Sequence, residues 1–78
     1  MFPSVNLQFG QTGQSVKQLQ EWLISLGHGI PSGATGNFLN ETKAALSAWQ
    51  SANGISSSTP GYGTNWGPLS MAAAQKTA

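Results

Sequence analysis

The sequence predicts an all-α fold: a compact three-helix domain with an extended N-terminal arm and Gly-rich loops. Three observations lead there. Apolar residues recur at helical spacing in two stretches, Val16, Leu19, Leu23 and Leu26 with Trp22, then Ala45, Leu46 and Trp49. A third stretch, from Pro68 through an alanine run, has high helix propensity. The segment TGNFLNETKAALSAWQ, Thr35 to Gln50, is echoed 28 residues later by NWGPLSMAAA, Asn65 to Ala74. Asn37 aligns with Asn65, Phe38 with Trp66, Thr42 with Ser70, and Ala44-Ala45 with Ala72-Ala73. Each copy sets a bulky ring before a helix whose small residues permit close packing. Two copies are fewer than a solenoid needs, so they form a pseudo-repeat inside one domain.

Residues 1–14 read as an arm and loop, with Phe2, Val5, Leu7 and Phe9 as anchors on the core. Gly10 and Gly13 allow turns there. The first helix is expected over 15–26. Ser15 and Gln18 fit a capping box, and Gly27 stops the helix in a left-handed position. The loop HGIPSGA follows, with Ile30 turned inward. The second helix is expected over 41–53, capped by Asn40, with Gly54 ending it and Ile55 turning back to the core. Residues 56–66 are polar, Gly-rich and interrupted by Pro60, hence a loop. The third helix is expected over 67–76, with Pro68 at its first position.

Seventy-eight residues make one domain near the lower limit for an unstapled core. There is no cysteine to add disulfides. One histidine and two glutamates give no metal set, so no metal or other cofactor is expected. Three lysines face two glutamates, with no Asp or Arg. Such a surface lacks the basic clusters that hold a phosphate backbone, which argues against nucleic acid. It suits a neutral partner rich in hydroxyls or amides. No stretch is long enough for a membrane span, and MFPSVNLQ has neither the basic nor the apolar region of a signal peptide. Export by another route, or membership of a longer chain, are the two readings that follow.

Few side chains are placed for chemistry. His28 has no acid or nucleophile near it in sequence and reads as a loop residue. Glu21 and Glu41 could be paired carboxylates of a glycosidase. Glu21 falls on the polar face of the first helix, however, and Glu41 in the first turn of the second, where it favours the helix dipole. Gly10 to Ser15 lacks the lysine and spacing of a phosphate loop. Gln20 and Gln50 read as amides bonding backbone at loop joints. Phe38 and Trp49 read as core, and Trp22, on one face with Leu19 and Leu26, reads as core with a sugar-stacking platform as its alternative. Tyr62 and Trp66 lie in or beside a polar Gly-rich loop, where rings often meet ligand. For Trp66 the alternative, a plug beneath the third helix like Phe38, has equal weight.

The chain resembles the peptidoglycan-binding domain found beside catalytic domains in bacterial cell-wall hydrolases and phage endolysins. The residues carrying the resemblance are Leu7, Gly10, Gly13, Val16, Leu19, Gln20, Leu23, Leu26 and Gly27. They continue with Thr35, Gly36, Phe38, Thr42, Ala45, Leu46, Trp49, Gln50, Gly54 and Ile55, and fade into Asn65, Trp66, Gly67, Pro68 and Ser70. His28 stands where the family carries an aromatic, Ser70 where it carries Thr, and the loop from Ser56 to Thr64 is long. The resemblance implies a noncatalytic module that binds peptidoglycan in the cell envelope or outside the cell. It implies a catalytic hydrolase domain, in the same or a partner chain, as a second partner. A monomer is expected, with a ligand groove rimmed by Gly36, Asn37, Tyr62, Asn65 and Trp66. The alternative from another functional class is a protein-interaction module of the same fold, presenting the Ala-rich third helix and the aromatic loop.

Overall fold

A computed structural model describes residues 2–77. Its elements, in chain order, are β1 (Leu7–Gln8), α1 (Gln14–Ser25), α2 (Asn40–Ala52), β2 (Asn65–Trp66) and α3 (Pro68–Thr77). Three helices surround one core, and the Cα extents are 26 × 24 × 21 Å. The helical stripes supply most of that core: Val16, Leu19 and Leu23 from α1, Ala45, Leu46 and Trp49 from α2, and Ala74 from α3. Leu7, Ile30, Phe38 and Trp66 complete it, Phe38 and Trp66 each with 0% of its surface exposed. Phe2, Trp22, Trp49 and Trp66 form an aromatic cluster, with the three indoles 5.0–5.4 Å apart in tilted or edge-on pairs.

Both long helices end the same way. His28 N–H reaches back to Leu23 O and Gly27 N–H to Ile24 O, while Ile55 N–H reaches Gln50 O and Gly54 N–H reaches Ser51 O. These are paired Schellman closures, with Gly27 at φ 93° and Gly54 at φ 81°. The closure explains one departure from expectation. Leu26 continues the apolar spacing of α1, yet it is the C-terminal cap just beyond Ser25 and lies 48% exposed, because the chain is already leaving the helical path.

The helix starts also differ from the sequence reading. Gly13 is the cap of α1, Ser15 lies inside the first turn, and no side chain caps the helix. Leu39, not Asn40, caps α2, again without a side-chain bond. Asn53, expected inside the second helix, is its C-terminal cap. At both starts backbone pairing from outside the helix sets the entry. Gly13 N–H donates to Gly36 O, and Phe38 N–H donates to Gln11 O.

That pairing reflects the course of the N-terminal arm, which is more ordered than a loose loop. β1 lies antiparallel to β2, with Leu7 opposite Trp66 and Gln8 opposite Asn65. Phe9 N–H donates to Thr64 O and Gly10 N–H to Phe38 O, and Thr12 forms a bridge with Asn37. The arm therefore runs between the two copies of the pseudo-repeat and pairs with both. Pro3 is buried and its carbonyl accepts the Trp66 Nε1–H at 3.0 Å. Leu7 and Phe2 pack on the core, but Val5 and Phe9 are exposed rather than anchoring. β1 spans only two residues, so the alternation that would turn Phe9 inward is broken by the turn that follows. The Phe9 ring instead stands edge-on to Phe38, with the Lys43 ammonium 6.0 Å from its centre.

The pseudo-repeat is held by two glutamines in matching roles. Gln20, on α1, donates to Asn37 O at 2.9 Å and Thr42 Oγ1 at 2.8 Å, and accepts from Gly36 N–H at 2.7 Å. Gln50, on α2, donates to Asn65 O at 3.2 Å and Ser70 Oγ at 2.9 Å, and accepts from Gly63 N–H at 2.6 Å. Each helix thus ties the ring-bearing turn and the first hydroxyl of the helix that follows it. Gly63 fits only as glycine: φ is +74° and an added Cβ would lie 2.2 Å from Ser47 Oγ.

Replacing Gln20 by Leu keeps the volume but orphans the buried Gly36 N–H. The expected loss is about 2–4 kcal/mol in urea denaturation, with little dependence on pH. Gln20→Glu should behave differently. Burial and the facing Asn37 carbonyl raise the folded-state pKa of that carboxyl above its unfolded value of about 4.3. The variant should approach wild-type stability below that pH and lose stability as pH rises through it, read by denaturation at acidic and neutral pH.

Candidate functional site

The repeated architecture leaves two clefts, each beside the start of a helix and each floored by one of the tying glutamines. The first has a volume of about 360 Å³. It is lined by the buried Gln20 and Thr42 together with Ile30, Ser32, Thr35, Asn37, Leu39, Asn40 and Glu41. The second is smaller, about 120 Å³, with Gln50 at its base. Thr59, Pro60, Tyr62, Asn65, Pro68, Leu69 and Ser70 also line it. Asn37 and Asn65 hold equivalent places, as do Thr42 and Ser70.

The sequence folds this way because each glutamine amide is consumed by backbone and hydroxyl groups. The loop before each ring is pinned to the preceding helix, and the next helix must start beside it. In the first cleft Glu41 also closes the loop: Ser32 N–H donates to its Oε1 at 2.9 Å. Glu41 is the one charged side chain lining either cleft. In the second, the Tyr62 hydroxyl donates to Ser47 O at 3.0 Å and is hydrogen-bonded to Ser51 Oγ, which fixes the ring against α2.

The five residues expected to rim one groove are divided. Asn37 lines the first cleft, and Tyr62 and Asn65 the second. Gly36 is buried, and its N–H is taken by Gln20. Trp66 plugs the core, its indole N–H is used by Pro3, and its ring has no exposed face for a ligand. Trp66 does border a furrow along β1 and β2, which Asn6, Gln8, Gln11 and Asn65 also line, but at 0% exposure it offers no ring surface there. Ser32, Asn40 and Glu41 were not expected at a site. The loop carrying Ser32 meets the helix start only through tertiary structure, and Glu41 has a sufficient local explanation in the helix dipole. The repeat itself held the missing signal, since equivalent Asn37 and Asn65 imply two equivalent clefts.

The chemistry available in both clefts is hydrogen bonding by amides and hydroxyls set in walls that are mostly apolar. Glu21 is exposed on α1 and lines neither cleft, so no carboxylate pair faces across either one. Among the described residues, no three His, Cys, Asp or Glu side chains come together as a metal site. No described helix is long and apolar enough to cross a membrane.

No curated protein and no solved structure matches the chain. A family model does match residues 12–59, under the description "Putative peptidoglycan binding domain". The matched span is more than half of the 78 residues and contains α1, α2 and the whole lining of the first cleft. The chain belongs to this family of peptidoglycan-binding domains.

Proposed function

We propose that the domain is a noncatalytic module that binds peptidoglycan, through its glycan or its stem peptide, and anchors an associated protein to the bacterial cell wall. The observation carrying this reading is that the family match encloses the first cleft, whose lining is rich in hydroxyl and amide groups. Murein presents N-acetyl groups, hydroxyls and peptide amides, and that lining offers partners for each. The near-neutral surface, with a formal net charge of +1, agrees with a contact made by short-range hydrogen bonds rather than by long-range attraction. The partner would be a catalytic hydrolase domain, in the same chain or another, in the envelope of a bacterium or in a phage lysin. A single module of this kind should bind at roughly millimolar to micromolar strength, raised by tethering.

One observation favours a protein-interaction role as a second reading. Leu69 on α3 is 64% exposed, beside Ile55 and the alanines of the same helix. Size-exclusion chromatography separates the readings, since wall binding alone requires no self-association.

Co-sedimentation with purified sacculi at low salt tests the proposal: the domain should pellet with the wall, and a domain left in the supernatant refutes it. Asn37→Ala removes one side-chain amide from the first cleft and should weaken retention about 3- to 10-fold, the effect of one or two hydrogen bonds. Its thermal unfolding should match wild type, because it is the Asn37 backbone carbonyl that holds Gln20.

A further inference from the structure

The second cleft lies almost wholly beyond the residues the family model matches, which end at residue 59. It nonetheless repeats the first in construction, with Gln50, Asn65 and Ser70 standing where Gln20, Asn37 and Thr42 stand. We propose that it is a second ligand site, specific for an uncharged N-acetylated sugar ring, so that one domain grips its polymer at two points. This rests on the wall-binding reading and extends it.

Its chemistry differs from that of the first cleft in a definite direction. Glu41 is replaced at the equivalent position by Leu69, so no charged group lines the second cleft. An aromatic ring and two prolines, Tyr62, Pro60 and Pro68, enter instead. A pyranose has one apolar face of C–H groups and a rim of hydroxyls, and it is recognised by a flat ring with hydrogen-bonding groups at its edge. Tyr62 is half-buried and supplies the ring. Thr59 and Asn65 supply groups at the edge.

The ring is also held ready. Its hydroxyl bonds Ser47 O and Ser51 Oγ, both on α2. The loop beneath it is fixed by Gly63 N–H on Gln50 and by Asn65 N–H on Gly61 O. The double tether also satisfies the hydroxyl of a half-buried ring. A binding platform gains from it, because less side-chain freedom is lost on contact.

The test uses peptide-free N-acetylglucosamine tetramer as probe and ¹⁵N-labelled domain in NMR titration, beside sedimentation with intact sacculi. The tetramer should shift the amide signals of Gly61, Tyr62 and Asn65 saturably. Tyr62→Ala should weaken tetramer binding at least about 10-fold, and Tyr62→Phe, which keeps the ring but loses its tethers, about 3-fold. Unchanged signals for Ser32 and Asn37 in both variants would establish that the fold is intact. On sacculi, either Asn37→Ala or Tyr62→Ala alone should lower retention, and the double variant should lose more than either. The inference is overturned if the tetramer leaves the second cleft's signals unmoved, or if Tyr62→Ala binds it as wild type does. Should sacculi retain wild type but be indifferent to Tyr62→Ala, only the second site falls. Should wild type not sediment at all, the wall-binding reading fails and this inference fails with it.

Discussion

Two buried side-chain amides hold this fold in register. Gln20 and Gln50 each make three hydrogen bonds, joining a helix to the turn and the helix that follow. A buried amide with an unused donor or acceptor would cost about 1–3 kcal/mol, a large part of the stability of so small a chain. Here no buried side-chain nitrogen or oxygen among the described residues lacks a partner. The same bonds orient the turns at Gly36–Asn37 and Gly63–Asn65, and those turns form one edge of each cleft. The framework that stabilises the fold therefore also shapes both clefts.

The arm closes what the glutamines begin. The two ring-bearing turns are distant in sequence and make no common helix, yet residues 9–13 bond to both. With only five charged residues, the chain has little electrostatic means of joining its parts. It relies on backbone pairing and on apolar burial centred on Phe38 and Trp66. A near-neutral exterior and a hydrogen-bonded closure inside are thus two sides of the same composition.

Much of the fold was legible because its signals are local. The apolar spacing of Val16, Leu19 and Leu23 and the Gly27 stop are properties of one helix and its exit. The ring-before-helix repeat also survives in sequence, since Phe38 and Trp66 occupy equal offsets from Thr42 and Ser70. What failed depended on distant chain. Ser15 and Asn40 have good capping chemistry, but the pairing of Gly13 with Gly36 and of Phe38 with Gln11 decides where the helices begin. Trp66 could not be settled in sequence, because a Gly-rich surround looks the same whether the ring faces ligand or core. Its partner is Pro3, 63 residues away. Of the residues expected at one groove, Asn37 lines one cleft, Tyr62 and Asn65 line another, and Gly36 and Trp66 are buried, because the repeat builds two clefts and each tying glutamine draws its turn inward.

The three indoles come from α1, α2 and β2 and meet within about one ring's width of each other. At that separation their excited states interact, so near-ultraviolet dichroism and emission should report the centre of the molecule as one chromophore. Any opening that separates these elements must disturb that signal, whereas fraying at the clefts would leave it nearly silent. The domain thus carries an internal optical gauge that distinguishes global unfolding from local breathing without an added label.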